Sequence, residues 1–240
     1  MGENSWEDGI SRGAALAAWR LPHASEAFLL QDFQGGSQLS EGWNVADLPA
    51  GFLAAPFIGL PYFLASDSLT SWTLTSESTT INIVFDEEDL IKKQEFKSWV
   101  SSAIEAIKQG PLQKVVLSRT DVKELPAGFS IVSALEELAA AYPNAFVCAI
   151  SIPALDGVWM CATPEILVEQ KDGVFRTISL AGTQSGVDDQ GNALSPAQAR
   201  WSQKEIEEQA FVSRYIIDCF KKIRLREYTE LGPKTISTGN

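Results

Sequence analysis

The stretch "GVWMCATPEILVEQKDGVFRTISLAGT", residues 157–183, alternates apolar runs with turn residues and predicts a series of short strands. Lys171, Asp172 and Gly173 separate two of these runs and predict a tight hairpin turn. Upstream, "AFVCAISIP" (145–153) predicts another strand, and residues 12–90 are also rich in strand-forming segments. We therefore expect sheets to form on both sides of the middle of the chain.

Three other segments have the three-and-four spacing of apolar residues that is typical of helices. They are "EEDLIKKQEFKSWVSSAIEAIKQG" (87–110), "SIVSALEELAAAYPN" (130–144) and "SPAQARWSQKEIEEQAFVSRYIIDCFKKI" (195–223). In the last segment, Ser195 with Gln198 and Ser202 with Glu205 offer two capping boxes as alternative starts. Because strands and helices come in blocks rather than in strict alternation, the sequence predicts the α+β class.

Composition and charge exclude several classes of function. The net charge of −12 disfavours a nucleic-acid partner, because a strongly acidic chain repels phosphates. The apolar run "AAPFIGLPYFLA" (54–65) is too short and too interrupted by proline and glycine to span a membrane. Three scattered cysteines and an acidic N-terminus without signal-peptide features predict reduced core thiols in a cytoplasmic protein. His23 is the only histidine, which excludes a histidine-rich metal site, and no glycine-rich nucleotide-binding motif occurs.

Two charged residues begin apolar runs. Lys114 precedes Val115–Leu117, which we predict to be a buried strand. Since an unpaired ammonium is costly to bury, Lys114 either reaches solvent from the strand end or lies in a pocket as a general base. Glu165 follows Pro164 and precedes another apolar run. It is either an exposed carboxylate at a strand end or an acid that faces Lys114 across neighbouring strands.

The segment "ISLAGT" (178–183) ends a predicted strand in Ala181, Gly182 and Thr183. It is either a simple turn at the end of a strand or a cradle whose backbone N–H groups bind a carboxylate. Glycine would allow the backbone to approach a ligand closely, and Thr183 would add a hydroxyl donor, but this stretch alone favours the simple turn.

Glu208 has a helical spacing that places it among apolar residues of the last helix. The residues expected on that face are Trp201, Val212, Tyr215 and Cys219. A carboxylate in an apolar stripe needs a cation, and Mg²⁺ is the natural one beside an anionic substrate. The alternative is a helix that is frayed or rotated enough to expose Glu208.

Taken together, "KVVLSR", "TPEILVEQKDGVFRTISLAGT" and "KEIEEQAFV" resemble, in order and spacing, the chorismate-utilising enzymes, and among these the isochorismate synthases. The resemblance extends from about residue 92 to the last residue. It implies a fold of large antiparallel sheets flanked by helices in one intertwined domain. Residues 1–90 would form a strand-rich N-terminal half, and residues 91–240 the first part of the chorismate-binding half.

The resemblance implies a Mg²⁺-dependent isomerase that converts chorismate to isochorismate for menaquinone or siderophore synthesis. Lys114 resembles the base that activates water, and Glu165 resembles the acid that protonates the departing hydroxyl. The implied substrate-binding and metal-binding positions are Ala181, Gly182, Thr183 and Glu208. A lysine at position 114 favours water addition, because the amine-adding relatives usually carry another residue there.

The chain departs from the family pattern at Gln209, where members often have histidine, and at its end, "GPKTISTGN" (232–240). A histidine-leucine pair, a Pro-Thr-Pro stretch, a carboxylate-binding arginine and another Mg²⁺-binding glutamate have no counterpart in the 240 residues. We therefore expect a weak or inactive catalyst that self-associates through an incomplete C-terminal edge. The alternatives are a non-catalytic, chorismate-site-derived binding or scaffold protein and a salicylate-forming lyase.

Overall fold

The computed structural model describes residues 2–74, 90–110, 112–120, 124–125 and 127–237. Contacts divide the chain into two compact units, which are described separately. The larger unit comprises Met1–Thr79 with Ser130–Asn240, and the smaller unit comprises Thr80–Phe129. No helix in the described ranges is both long and apolar enough to cross a membrane.

The described elements are four α-helices and ten strands. The helices are α1 (Gly2–Ser11), α2 (Leu90–Gln109), α3 (Ile131–Ala141) and α4 (Gln203–Lys222). The strands are β1 (Ala15–Arg20), β2 (Glu26–Asp32), β3 (Ser37–Gln38), β4 (Gly51–Ala54), β5 (Tyr62–Ala65), β6 (Ser68–Thr73), β7 (Phe146–Ser151), β8 (Val158–Thr163), β9 (Glu169–Lys171) and β10 (Val174–Arg176). Helices together with antiparallel sheets confirm the predicted α+β class.

The main sheet of the larger unit has the strand order β6-β2-β1-β7-β8, and every neighbouring pair is antiparallel. Its central strand, β1, is buried along almost its whole length because both faces of the sheet are covered there. β1 pairs with β7 although more than a hundred residues separate them, so the N-terminal and C-terminal parts of the chain share this sheet.

One face of the main sheet packs against α1 and α3. This cluster includes Leu16 from β1, Val147 from β7, Leu135 from α3 and Trp6 from α1. Within α1, a Cβ on Gly9 would lie 2.6 Å from Leu16 Cδ2, so the absence of a side chain lets the helix approach the sheet. The sequence did not predict α1, because this segment is acidic and polar and has too few apolar residues to show a regular spacing. Trp6 is the one large buried side chain among those described in α1.

A buried arginine holds the C-terminal end of α3. Arg20 is only 1% exposed. Its Nη2 donates to Ala139 O at 2.9 Å and Tyr142 O at 2.7 Å, and its Nη1 donates to Pro143 O at 2.8 Å and Leu21 O at 3.1 Å. These carbonyls include acceptors that a helix end leaves free, and the negative end of the helix dipole favours a cation there. Burial lowers the pKa of Arg20 from its usual value.

A three-stranded sheet, β3-β5-β4, packs against the other face of the main sheet. Leu64 of β5 joins a buried cluster with Ala17 and Leu30 of the main sheet. The buried Asp32 connects the two sheets, because its Oδ2 accepts from Ala65 N at 2.8 Å while its Oδ1 accepts from Gln34 N at 2.8 Å.

The hairpin predicted at Lys171, Asp172 and Gly173 is confirmed. Lys171 pairs with Val174, so a two-residue loop joins β9 and β10. Asp172 has a φ of 52° and Gly173 a φ of 78°, which is the combination that a type I′ turn requires.

The long C-terminal helix begins at the second of the two predicted capping boxes. Ser195 and Gln198 cap only a short 3-10 helix, Pro196–Gln198. Ser202 and Glu205 form the box that begins α4. After α4 the chain returns along the helix, since the rings of Phe220 and Tyr228 lie 5.2 Å apart and Trp201 Nε1 donates to Thr235 Oγ1 at 2.8 Å.

Three strand predictions were wrong. Residues 112–120 form no strand, and Val116 is 80% exposed, so the run after Lys114 is not a buried strand. Ile166–Val168 and the segment 177–183 are also irregular. The part of residues 12–90 that spans 75–89 lies outside the described residues.

The expectation of three core thiols was wrong for one cysteine. Cys148 of β7 is buried and Cys219 of α4 is half-buried, whereas Cys161 is exposed. The reason is its position on β8, an edge strand of the main sheet. Apolar neighbours in sequence do not reveal that a strand lies at an edge.

Candidate functional site

The glycine segment 181–183 lies against the first turns of α4. Gly182 has a φ of 77°, a conformation that residues with a side chain rarely adopt. A Cβ at Gly182 would also lie 3.2 Å from both the Cβ and the backbone oxygen of Glu205. Glycine is therefore required here for two separate reasons, the backbone conformation and the close approach to the helix. Thr183, next in the chain, is exposed.

A set of hydrogen bonds holds the preceding residues against the same helix. Gln209 Nε2 donates to Ser179 O at 3.1 Å and to Ser179 Oγ at 3.3 Å. Ser213 Oγ donates to Ser179 Oγ at 3.1 Å. Since Ser179 contacts residues 209 and 213 while Gly182 contacts residue 205, the segment runs antiparallel to α4.

Glu208 lies on the part of α4 that this segment covers. It is half-buried and adjacent to Gln209. Three residues, about 4.5 Å along a helix, separate it from the position where Gly182 meets Glu205. The fold therefore brings two of the sequence-predicted features, the glycine segment and Glu208, to the same stretch of α4.

The apolar stripe predicted around Glu208 is only partly correct. Trp201, Val212 and Cys219 are half-buried, as expected for one face, and Glu207 is exposed. Tyr215 is 61% exposed, so its assignment to the buried face was wrong. The covered face is set by two irregular segments that lie along α4, and periodicity alone does not locate such segments.

Glu165 lies just beyond the end of β8. It is exposed, and its backbone N donates to Thr163 Oγ1 at 3.2 Å, which fixes the chain as it leaves the sheet. The chain then forms the β9–β10 hairpin and is tied back by a hydrogen bond from Thr177 Oγ1 to Leu167 O at 2.7 Å. Glu165 therefore follows the end of β8 and does not begin the strand that was predicted over Ile166–Val168.

Lys114 belongs to the smaller unit, whereas Glu165, Gly182 and Glu208 belong to the larger one. Its side chain is half-buried within the irregular segment 112–120. The pairing of Lys114 with Glu165 as base and acid remains a prediction from sequence.

The carboxylate of Glu205 is engaged at the start of α4. It accepts from the backbone N of Ser202 at 2.9 Å and also from the Ser202 hydroxyl. These hydrogen bonds, that of the Ser202 side chain above all, lower the pKa of Glu205 from its usual value. Glu205 thus serves as a cap for α4, whereas Glu208 lies outside the capping box.

The described residues contain no group of three or more histidine, cysteine, aspartate or glutamate side chains that could hold a metal ion. Mg²⁺ often binds proteins through one or two carboxylates and takes its other ligands from water and substrate. A half-buried carboxylate at Glu208 is compatible with that mode of binding. Such an ion would depend on an anionic substrate for part of its coordination.

Sequence reasoning missed the hydrogen bonds among Ser179, Gln209 and Ser213. Gln209 stood out only as a departure from the family's usual histidine, and here its amide ties α4 to the glycine segment. Small polar residues at positions 179 and 213 carried no signal of their own.

Comparison with known proteins places these features in a family. The family model described as chorismate binding enzyme matches residues 65–240, well over half of the chain. No curated protein and no solved structure matched. The matched range contains Lys114, Glu165, the glycine segment 181–183 and Glu208. The chain belongs to the chorismate binding enzyme family.

Proposed function

We propose that this chorismate-binding chain carries the residues of an isochorismate synthase. The observation that supports the proposal most is the family match over residues 65–240, combined with a glycine segment that packs on α4 at Glu205, three residues before Glu208. In the proposed reaction, water adds to the ring of chorismate and the 4-hydroxyl leaves, so that the product is an isomer of the substrate.

Each step has a candidate group. Lys114 takes a proton from the attacking water, and Glu165 gives a proton to the departing hydroxyl. Backbone N–H groups at Ala181–Thr183 and the Thr183 hydroxyl bind a substrate carboxylate, for which Gly182 supplies the backbone conformation. Glu208 contributes a ligand to Mg²⁺, which would offset the negative charge of the substrate.

The first test separates binding from chemistry. Chorismate binding is measured by calorimetry with and without Mg²⁺, and the products are separated by chromatography. The proposal expects isochorismate as the product, formed at a low rate because several residues of the family's site have no counterpart among the 240 residues. Binding without product would instead identify a non-catalytic chorismate-binding protein, and salicylate would identify a lyase. Absence of binding under all conditions would contradict the family-based assignment of substrate.

The second test uses matched variants that separate roles. Lys114→Ala is expected to abolish isochorismate formation, while Lys108→Ala, which removes an exposed lysine paired with Glu105, leaves it unchanged. Glu165→Gln keeps the shape but removes the proton donor and is expected to lower the rate by roughly 10²–10⁴. Near-parental turnover in either active-site variant would reject the role of that residue.

Glu208→Gln tests whether Glu208 binds Mg²⁺, and Glu207→Gln on the same helix serves as the control. The variant is expected to shift the Mg²⁺ dependence of chorismate binding to higher concentrations, whereas Glu207→Gln, at an exposed position, leaves that dependence unchanged. Superimposable Mg²⁺ titrations for Glu208→Gln and the parent would exclude Glu208 as a ligand.

A further inference from the structure

Two cysteines face each other across neighbouring strands of the main sheet. Cys148 of β7 and Cys161 of β8 are direct partners in the antiparallel register, and their Sγ atoms lie 3.3 Å apart. Direct partners in such a pair have Cα atoms about 4.5–5.5 Å apart. That separation lies within the roughly 4.4–6.8 Å that disulfides span, so a bond between them needs little backbone movement.

The two thiols differ in their access to solvent. Cys148 is buried in the sheet and pairs with Trp19 of β1 on its other side. Cys161 is exposed on the edge strand β8. Burial, together with the hydrogen bond and the charge interaction with Cys161, raises the pKa of Cys148 to about 12. Cys148 is therefore protonated before the reaction begins, and Cys161 is the thiol that a reagent in solution can reach first.

We propose that Cys148 and Cys161 form a reversible dithiol–disulfide site that reacts with low-molecular-weight disulfides. In the first step the Cys161 thiolate attacks one sulfur of the small disulfide, whose S–S bond breaks and releases one thiolate. In the second step Cys148 loses its proton to solvent, its thiolate attacks Cys161 Sγ, the mixed disulfide breaks, and the second small thiolate leaves and takes up a proton. The protein pair loses two electrons and two protons, and the small disulfide gains them.

The bond would link the edge strand β8 covalently to β7. β8 ends at Thr163, two residues after Cys161, so the link lies close to the point where the chain leaves the sheet. This site is independent of the function proposed above, because neither cysteine belongs to the candidate catalytic or binding residues.

The test incubates the chain with graded ratios of glutathione disulfide to glutathione and then blocks the remaining thiols. Peptide mapping of the parent is expected to find Cys148 joined to Cys161, while Cys219 stays free. Cys219→Ser is expected to form the same bond. Cys148→Ala is expected to stop at one glutathione on Cys161, and Cys161→Ser is expected to leave Cys148 unmodified. Addition of excess glutathione is expected to restore all three free thiols in the parent.

Three outcomes would overturn the proposal. The parent could keep three free thiols at every ratio, retain glutathione on Cys161 without closing the bond, or join Cys161 to Cys219 or to a second chain. Cys161 is exposed and Cys219 is half-buried, so Cys161→Ser and Cys219→Ser should leave the fold intact. Circular dichroism checks this before the thiols are mapped.

Discussion

Helices α3 and α4 belong to the same unit but are packed in different ways. α3 buries Val132, Ala134, Leu135 and Ala139 against the main sheet. α4 is almost twice as long, yet none of its residues is buried. Both helices begin at a serine cap, so the difference does not arise from their starting signals. It arises from what covers them, since α3 rests on a sheet and α4 on irregular segments.

The comparison separates the part of the molecule that provides stability from the part that carries the candidate chemistry. Glycine segment 181–183 and Glu208 both lie along α4, and neither contributes to the two buried clusters. Regions with few buried apolar contacts open more readily than the core, and ligand-binding segments are commonly drawn from them. We therefore expect changes around α3 to affect global unfolding and changes around α4 to have smaller, local effects.

The largest effect is expected from Arg20→Met, which removes the cation that caps α3. The buried carbonyls at the end of the helix would lose their donors, and the free energy of unfolding should fall by about 4 kcal/mol. Urea unfolding followed by circular dichroism measures the change. Arg12→Met removes an exposed arginine paired with Asp8 and should change stability by less than about 0.5 kcal/mol. Equal effects of the two substitutions would show that the Arg20 contacts do not stabilise the fold.

Truncating one apolar side chain in each helix measures the contrast directly. Leu135 in α3 is only 1% exposed, so Leu135→Ala leaves a buried cavity. It should lower the free energy of unfolding by about 3 kcal/mol. Val212→Ala in α4 removes a half-buried side chain and should cost about 1 kcal/mol or less. The comparison would fail if the two losses, measured in the same urea titration, were equal.

Gly182→Ala tests whether the glycine segment depends on its contact with α4. Gly191 has a similar positive φ of 82°, but a Cβ there would meet nothing within 4 Å. Gly191→Ala should therefore cost about 1 kcal/mol for backbone strain alone, and Gly182→Ala about 2 kcal/mol because the Cβ also crowds Glu205. Thermal unfolding gives both values. If Gly182→Ala proved no worse than Gly191→Ala, the helix contact would not restrict position 182.

The smallest effect is expected from the cap of α4 and depends on pH. Because the pKa of Glu205 is lower in the folded chain than its usual value of 4.5, the carboxylate stabilises the fold above about pH 4.5. This contribution is lost as the pH falls through the folded pKa. Glu205→Gln keeps a capping side chain without the charge. The melting temperatures of parent and variant should differ slightly at pH 7, and the difference should shrink as the pH falls below 4.5, whereas a difference that stayed constant throughout the acid range would argue against this cap.

The sequence predicted most elements that depend on local signals, such as turn residues, helix caps and a regular spacing of apolar residues. The hairpin at Asp172 and Gly173 followed from turn chemistry, and the start of α4 was one of two capping boxes. The strand expected after Lys114 failed, because an apolar run indicates a preference for burial but supplies no partner strand. The role of Arg20 was equally invisible, since its four acceptors include carbonyls more than a hundred residues away.

The candidate site likewise has features that the sequence indicated and features that it did not. Gly182 has the backbone conformation that favours glycine, but its close contact is with Glu205, and Glu208 is half-buried, between the two alternatives that the sequence left open. The anchoring of Ser179 by Gln209 could not be predicted, because it joins residues that are 30 positions apart through side chains with no distinctive pattern.

The position of β1 in the middle of the main sheet has a consequence for synthesis on the ribosome. β1 can pair with β2 as soon as both have emerged, but its other edge must wait for β7, which begins at Phe146. At about 5–20 residues per second, translation takes roughly 6 to 25 s to cover that interval. During this time the nascent chain presents an unpaired edge on an apolar strand, a feature that promotes aggregation. Protection of that edge by a chaperone, rather than the stability of the finished sheet, would then determine the yield of folded protein.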